Sequence, residues 1–189
     1  MLKNQQRDPA RDPGHRRQLA LVGLVAFGLA LGLDLWTKHW VWTRLRPDGE
    51  VVELIPPVLE LAFAFNRGTA FSVIQSVEQP LLFVPITAFV VGLTSWIALR
   101  SPGVDRLRTL ALGLVCGGAL GNLHDRVYRA DALGQHGVVD FIKINYPWGG
   151  SWPSFNIADS ALVAGTILLI WSLSRTPKPE DLAADLARA

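Results

Sequence analysis

Two aspartates stand in settings where a carboxylate is costly. Asp140 lies in Gly137-Val138-Val139-Asp140-Phe141, and Asp159 closes Phe155-Asn156-Ile157-Ala158-Asp159 just ahead of the apolar run Ser160 to Trp171. An ionisable group at the middle of a membrane helix costs about 2.5–3.5 kcal/mol on insertion scales, and less near an end, so it marks a functional site by default. The plain alternative is an Asp that only caps a helix at the interface. Two carboxylates suit acid–base chemistry. Close like charges push their pKa values apart, so one stays ionised to activate water while the other keeps a proton. The histidines His15, His39, His124 and His136 form no pair at ligand spacing, so no metal set is read. No cofactor loop is read either, because Gly117-Gly118-Ala119-Leu120-Gly121 sits inside an apolar run and suits helix packing. There is no serine nucleophile elbow.

Further polar residues recur beside apolar runs. Asp34 and Lys38 are four apart and share a helix face. Asn122, Asp125 and Arg126 follow the i, i+3, i+4 pattern and project from one face, with Arg126 expected to hold Asp125 ionised in a structural pair. Asn66 and Gly68, in Asn66-Arg67-Gly68-Thr69-Ala70-Phe71, suggest a tight turn. Asn156 precedes Asp159 at a helix start, where the positive end of the dipole favours a carboxylate.

These side chains need a scaffold, and composition indicates its kind. The 189 residues are 50% hydrophobic and 18% charged, with mean hydropathy +0.27, too apolar for an ordinary soluble domain. The formal charge is +2 and the pI about 9.0, with the basic residues gathered in the tails and one short loop. That pattern indicates membrane orientation and not nucleic-acid binding. The lone Cys116 can form no intrachain disulfide.

Apolar spans are read at about 19–37, 81–99, 107–124 and 155–173. At 1.5 Å per residue they have about the length that crosses the ~30 Å hydrocarbon core. A cleaved signal peptide is a competing reading of the first, but no small-x-small site follows and the run continues into Asp34 to Lys38. Residues 1–17, with two Asp-Pro pairs, are read as a disordered tail, and 174–189 as a second polar tail. Within 40–79, Val51 to Ile55 and Val58 to Phe65 have strand composition about Pro56-Pro57, so a small β-rich element on the membrane is expected. The small residues of the third span, Gly113, Gly117, Gly118 and Gly121 among them, predict close helix packing in lipid. In the outer segment 125–154, Trp148 and Trp152 flank Gly149-Gly150, and 145–153 is expected to move over the site as a lid.

Four spans put both tails on one side. The tails and the 100–108 loop carry eleven Lys and Arg, against seven in 37–79 and 124–154, so the positive-inside rule favours cytoplasmic tails. All the polar clusters then fall at the outer level of the membrane.

Five motifs in this order resemble the lipoprotein signal peptidase (signal peptidase II) family of bacterial intramembrane aspartyl proteases, over roughly residues 19–173. They are Asp34-Leu-Trp-Thr-Lys38, Asn66-Arg-Gly-Thr-Ala-Phe71, Gly117-Gly-Ala-Leu-Gly-Asn122-Leu-His-Asp125-Arg126, Val138-Val-Asp140-Phe141 and Phe155-Asn156-Ile-Ala-Asp159. The expected fold is an α-helical integral membrane protein of four transmembrane helices, with a small extracytoplasmic β-rich element between helices 1 and 2. The resemblance implies that Asp140 and Asp159 are catalytic. It implies support from Asp34, Lys38, Asn66, Gly68, Asn122, Asp125, Arg126 and Asn156. It implies a diacylglyceryl-modified prolipoprotein substrate, cut before its lipidated cysteine, in a bacterial inner membrane with the active site near the extracytoplasmic face. Membrane lipid and globomycin-type peptide inhibitors are the other implied partners. The stretch between Arg126 and Asp140 is several residues longer than the family pattern. A transporter or channel would predict an inverted repeat or polar residues along a whole pore, and the inner halves of the spans are almost purely apolar. A structural membrane protein would leave the aligned polar clusters as an unexplained cost.

Overall fold

The computed structural model describes residues 13–68, 79–100 and 105–175. Four helices and three strands follow in the order α1 (Pro13–Asp48), β1 (Val51–Ile55), β2 (Leu59–Asn66), α2 (Gln79–Arg100), α3 (Arg106–Tyr128), β3 (Val138–Ile144) and α4 (Ile157–Ser174). Among the described residues, α1 and α4 are long and apolar enough to cross a membrane, and α2 contributes a shorter apolar stretch, Phe83–Trp96. The tails 1–12 and 176–189, and the Thr69-Ala70-Phe71 end of the Asn66 motif, lie outside the described residues.

α1 is longer than its apolar run at both ends. Residues 13–17, expected in a disordered tail, are helical, because Pro13 occupies the first turn, where its missing N–H is not needed. Residues 40–48, expected in the outer mixed segment, are also helical. Beyond Lys38 the buried Val41 and Leu45 keep the spacing set by Ala26, Ala30 and Asp34, so one seam runs the length of the helix. Large apolar side chains, Leu21, Leu24, Leu29, Leu33 and Trp36, point outward instead. That arrangement would be inside-out in water. It suits lipid, where tails are as apolar as leucine and helices meet through small residues.

α3 is the central helix of this packing. A Cβ on Gly113 would stand 2.9 Å from the Cβ of Ala26, and one on Gly117 would stand 2.8 Å from the Cβ of Ala30, both on α1. On the opposite side, a Cβ on Gly118 would stand 2.5 Å from the carbonyl oxygen of Ala158 on α4. The glycines of the third span therefore set the two helix contacts that carry the site. α3 begins at an N-cap, Asp105, which accepts the amide of Arg108 at 2.7 Å. Arg108, expected in a basic loop, is buried and donates from Nε to Ser172 Oγ on α4 at 3.3 Å.

The β-rich element is a three-stranded antiparallel sheet in the order β1-β2-β3. Two strands lie where strand composition indicates them. The third, Val138–Ile144, comes from beyond α3 and pairs with β2 so that Ala64 faces Asp140 and Asn66 faces Val138. Val139 and Phe141 pack with Val41 and Leu45 of α1, with Trp42, Phe63 and Phe65 around them. Side chains alternate along a strand, so Asp140 points to the other face.

Candidate active site

β3 and α4 deliver the two aspartates, and Asn156 joins them. Asn156 caps α4, accepting the N–H of Asp159 at its Oδ1 at 2.9 Å, while Asp159 Oδ2 accepts the N–H of Asn156 at 3.3 Å. This reciprocal box fixes Asp159 in the first turn, where the helix dipole favours a carboxylate. The Asn156 amide nitrogen reaches across to Asp140 Oδ1 at 2.7 Å and to Val139 O at 3.3 Å. Asn122, on α3, donates to Asp159 Oδ1 at 2.7 Å and accepts from Asn156 at 3.2 Å. The capping alternative for Asp159 is thus correct as geometry, but the cap is also one wall of a two-carboxylate site.

A buried cation supports this arrangement from α1. Lys38 Nζ donates to Asn122 Oδ1 at 2.8 Å and pairs with Asp34 Oδ2 at 2.8 Å, with Asp125 Oδ2 at 3.8 Å. Lys38, Asp34 and Asp125 are fully buried. Asp34 Oδ1 accepts the N–H of Ala158, tying α1 to the start of α4 at 2.9 Å. Asp125 Oδ2 accepts the N–H of Val139 at 3.0 Å, tying α3 to β3 one residue before Asp140. Lys38 thus stands behind both aspartates without pairing with either.

Asp125 is in a structural ion pair, but its close partner is Arg129 and not Arg126. Arg129 Nε meets Asp125 Oδ1 at 2.7 Å, and Arg129 also donates to the carbonyl of Lys38 at 3.2 Å. The cause is helix geometry: residue i+4 returns to the face of residue i, whereas i+1 is turned about 100° away. Arg126 instead donates to Asn122 O at 3.3 Å, lies over the Phe83 ring, and is in the field of Asp159, Asp140 and Asp125. Arg129 went unread although the i, i+4 rule reaches it.

Asn66 completes the set from the end of β2. Its Oδ1 accepts the N–H of Gly68 at 2.9 Å, across a turn in which Gly68 takes φ +76. Its side chain hydrogen-bonds Asp140. Gly68 acts through the backbone, and Asp34, Lys38, Asn122, Asp125, Arg126 and Asn156 meet the two aspartates in one network. The segment Asn145 to Ser151 is a closed turn. Tyr146 accepts the N–H of Gly149 and donates to Gly150, and Trp148 stacks on Tyr146 while its far side is exposed.

Burial, and then the charge of Asp159, push Asp140 up to about 6, with the Asn66 and Asn156 hydrogen bonds and Lys38 pulling the other way. A carboxyl whose protonated form is favoured, set beside a second carboxyl, is an arrangement that suits acid–base chemistry on a bound water.

Comparison with known proteins agrees with this chemistry. The sequence model of the family described as Signal peptidase (SPase) II matches residues 26–175. The lipoprotein signal peptidase of Rhodococcus jostii (strain RHA1) is 39% identical over 162 residues, covering 86% of this chain and 76% of that protein. That of Geobacillus thermodenitrificans (strain NG80-2) is 39% identical over 162 residues, covering 85% and 94%. A bacterial membrane enzyme solved by the in meso method at 1.9 Å superposes with TM-score 0.69 at 30% identity, covering 82% of this chain and 94% of that one.

Proposed function

The chain belongs to the signal peptidase II family, and from that premise we propose that Asp140 and Asp159 are its catalytic pair. The protein is a bacterial membrane protease that removes the signal peptides of lipoprotein precursors. The observation that carries the catalytic assignment is that Asn156 holds both carboxyls at once, Asp140 through its side-chain amide and Asp159 through its backbone N–H.

Asp159 is the ionised partner and Asp140 the proton holder. A water between them gives a proton to Asp159 as its oxygen attacks the scissile carbonyl carbon. Asp140 donates its proton to the developing oxyanion, giving a neutral tetrahedral intermediate. Collapse of that intermediate breaks the C–N bond; the leaving nitrogen takes the proton from Asp159 and the carbonyl re-forms as its proton returns to Asp140. Lys38, Asn122 and Asn156 keep the geometry rigid, so the pair need not reorganise during the reaction.

All four helices cross the membrane, within a peptidase domain of residues 18–173. The termini are cytoplasmic and the sheet and site lie at the extracytoplasmic face. The substrate is a diacylglyceryl-modified prolipoprotein cut before the lipidated cysteine, and globomycin-type peptides compete with it. The outward apolar faces of α1 and α4 support this reading, because a lipidated substrate already shares the bilayer with them. Purified protein in liposomes should release the signal peptide from a diacylglyceryl-modified precursor and leave the unmodified precursor whole. Equal cleavage of both would contradict the lipid requirement.

A further inference from the structure

The loop from α3 to β3 is folded as a small hairpin. Asp131 Oδ1 accepts the amides of Leu133 and Gln135, each at 2.9 Å, and the Asp131 N–H donates to Gln135 O at 3.0 Å. Gly134, at φ +74, turns the chain back so that Ala130 pairs with His136. From this hairpin the other oxygen of Asp131 meets Arg67 Nη2 at 2.5 Å. Arg67 sits between Asn66 and Gly68, so the ion pair grips the tip of the turn that orients the Asn66 side chain. The base of the hairpin presses on the same turn, since a Cβ on Gly137 would stand 2.8 Å from the carbonyl oxygen of Asn66.

We propose that the Arg67–Asp131 ion pair is a positioning latch that keeps the Asn66 amide on Asp140. The inference rests on the assignment of Asp140 and Asp159 as the catalytic pair. A plain ion pair at the surface of a loop would affect stability slightly and the chemistry not at all. The latch differs because its two ends lead, through short rigid segments, to a catalytic carboxyl and to that carboxyl's hydrogen-bond donor. Arg67 leads to Asn66, and Asp131 leads through the hairpin and Gly137 to β3. Among the described residues, the charged groups acting on Asp140 are Asp159 from α4, Lys38 from α1 and Arg126 from α3. None of them lies on the turn or the hairpin, so a change at the latch reaches Asp140 through Asn66. Asn66 favours the ionised form of Asp140. Loosening the latch therefore lets Asp140 hold its proton to higher pH.

Asp131→Asn keeps an oxygen for the loop amides and removes the charge, Arg67→Gln removes the other charge, and Arg67→Lys preserves it. With the full chain in liposomes and a lipidated prolipoprotein, Asp131→Asn and Arg67→Gln should each lower kcat about 5- to 10-fold, as for a sub-ångström misplacement, with KM within about twofold. Both should move the alkaline limb of the kcat/KM profile upward. Arg67→Lys should stay within about threefold of the parent, with the limb unmoved. Parental kcat and an unmoved limb in Asp131→Asn and Arg67→Gln overturn the latch. So does a fall in rate with no movement of the limb, which is what a merely loosened fold would give. Should Asp131→Asn fail to fold, the two Arg67 variants decide. Asp140→Asn is assayed alongside: cleavage by that variant sinks the catalytic pair itself, whereas a dead Asp140→Asn beside parental latch variants sinks only the latch.

Discussion

Asn156 donates its side-chain amide to Asp140 at 2.7 Å while the oxygen of the same side chain accepts the backbone N–H of Asp159 at 2.9 Å. One side chain therefore ties the strand that carries Asp140 to the first turn of the helix that carries Asp159. Asn156→Ala removes both side-chain holds, the second of which is the helix cap, and keeps the backbone N–H that Asp159 Oδ2 accepts. It should lower kcat about 100-fold, the scale of a 1 Å misplacement, while the lost cap costs about 1 kcal/mol of stability and each buried partner left unpaired about 1–3 kcal/mol. Turnover and thermal unfolding measured on the same preparation check this. Parental kcat in a folded Asn156→Ala would show that the bridge is not needed.

Asp140 gives a pH signature. Its pKa is raised from 3.8 to about 6 in the folded protein. The folded state thus prefers the protonated form, and the associated stability is complete below about pH 4 and lost as pH rises through 6. The loss approaches about 3 kcal/mol by pH 7. Asp140→Asn has no charge to bury, so its stability relative to the parent should grow from pH 4 to pH 7. A constant difference across that range, in melting experiments at several pH values, would contradict the shift.

Lys38 is the cation paired with the buried Asp34, and it also lies 3.8 Å from Asp125, whose closer partner is Arg129. Removing one partner of a buried ionic group leaves uncompensated charge and costs about 3–5 kcal/mol. Lys38→Met should therefore destabilise the protein by about that much, measured by unfolding in detergent, and adding Asp34→Asn should recover part of it. Loss of activity without loss of stability would instead place Lys38 in the chemistry.

The Lys and Arg of the tails and of residues 100–108 predict cytoplasmic termini. A fusion after Leu173 should be inactive with alkaline phosphatase and active with a cytoplasmic reporter, and one within 145–153 the reverse. Phosphatase activity after Leu173 would invert the topology.

Much of the site was legible because it is local. Asp34 with Lys38, and Asn156 with Asp159, are set by spacings that a helix converts directly into contacts. The glycines of the third span were legible for the same reason, since close approach needs small residues wherever the partner comes from. What was hidden depends on contacts distant in sequence. Val138 to Ile144 is apolar enough to pass for any buried segment, and only its pairing with β2 makes it the strand that aims Asp140. Arg108 reads as a loop charge until α4 brings Ser172 to it. Residues 40–48 look too mixed for a span, yet the seam of Val41 and Leu45 carries α1 on beneath the sheet.

Cleavage by Asp140→Asn and Asp159→Asn tests the account most directly. Each substitution keeps the side-chain shape and removes the ionisable group. Each purified, folded variant, given a diacylglyceryl-modified prolipoprotein, should lose at least about 1,000-fold in kcat, since each removes one of the two proton transfers the reaction needs. Near-normal cleavage by either would contradict the assignment and direct attention to Asp125.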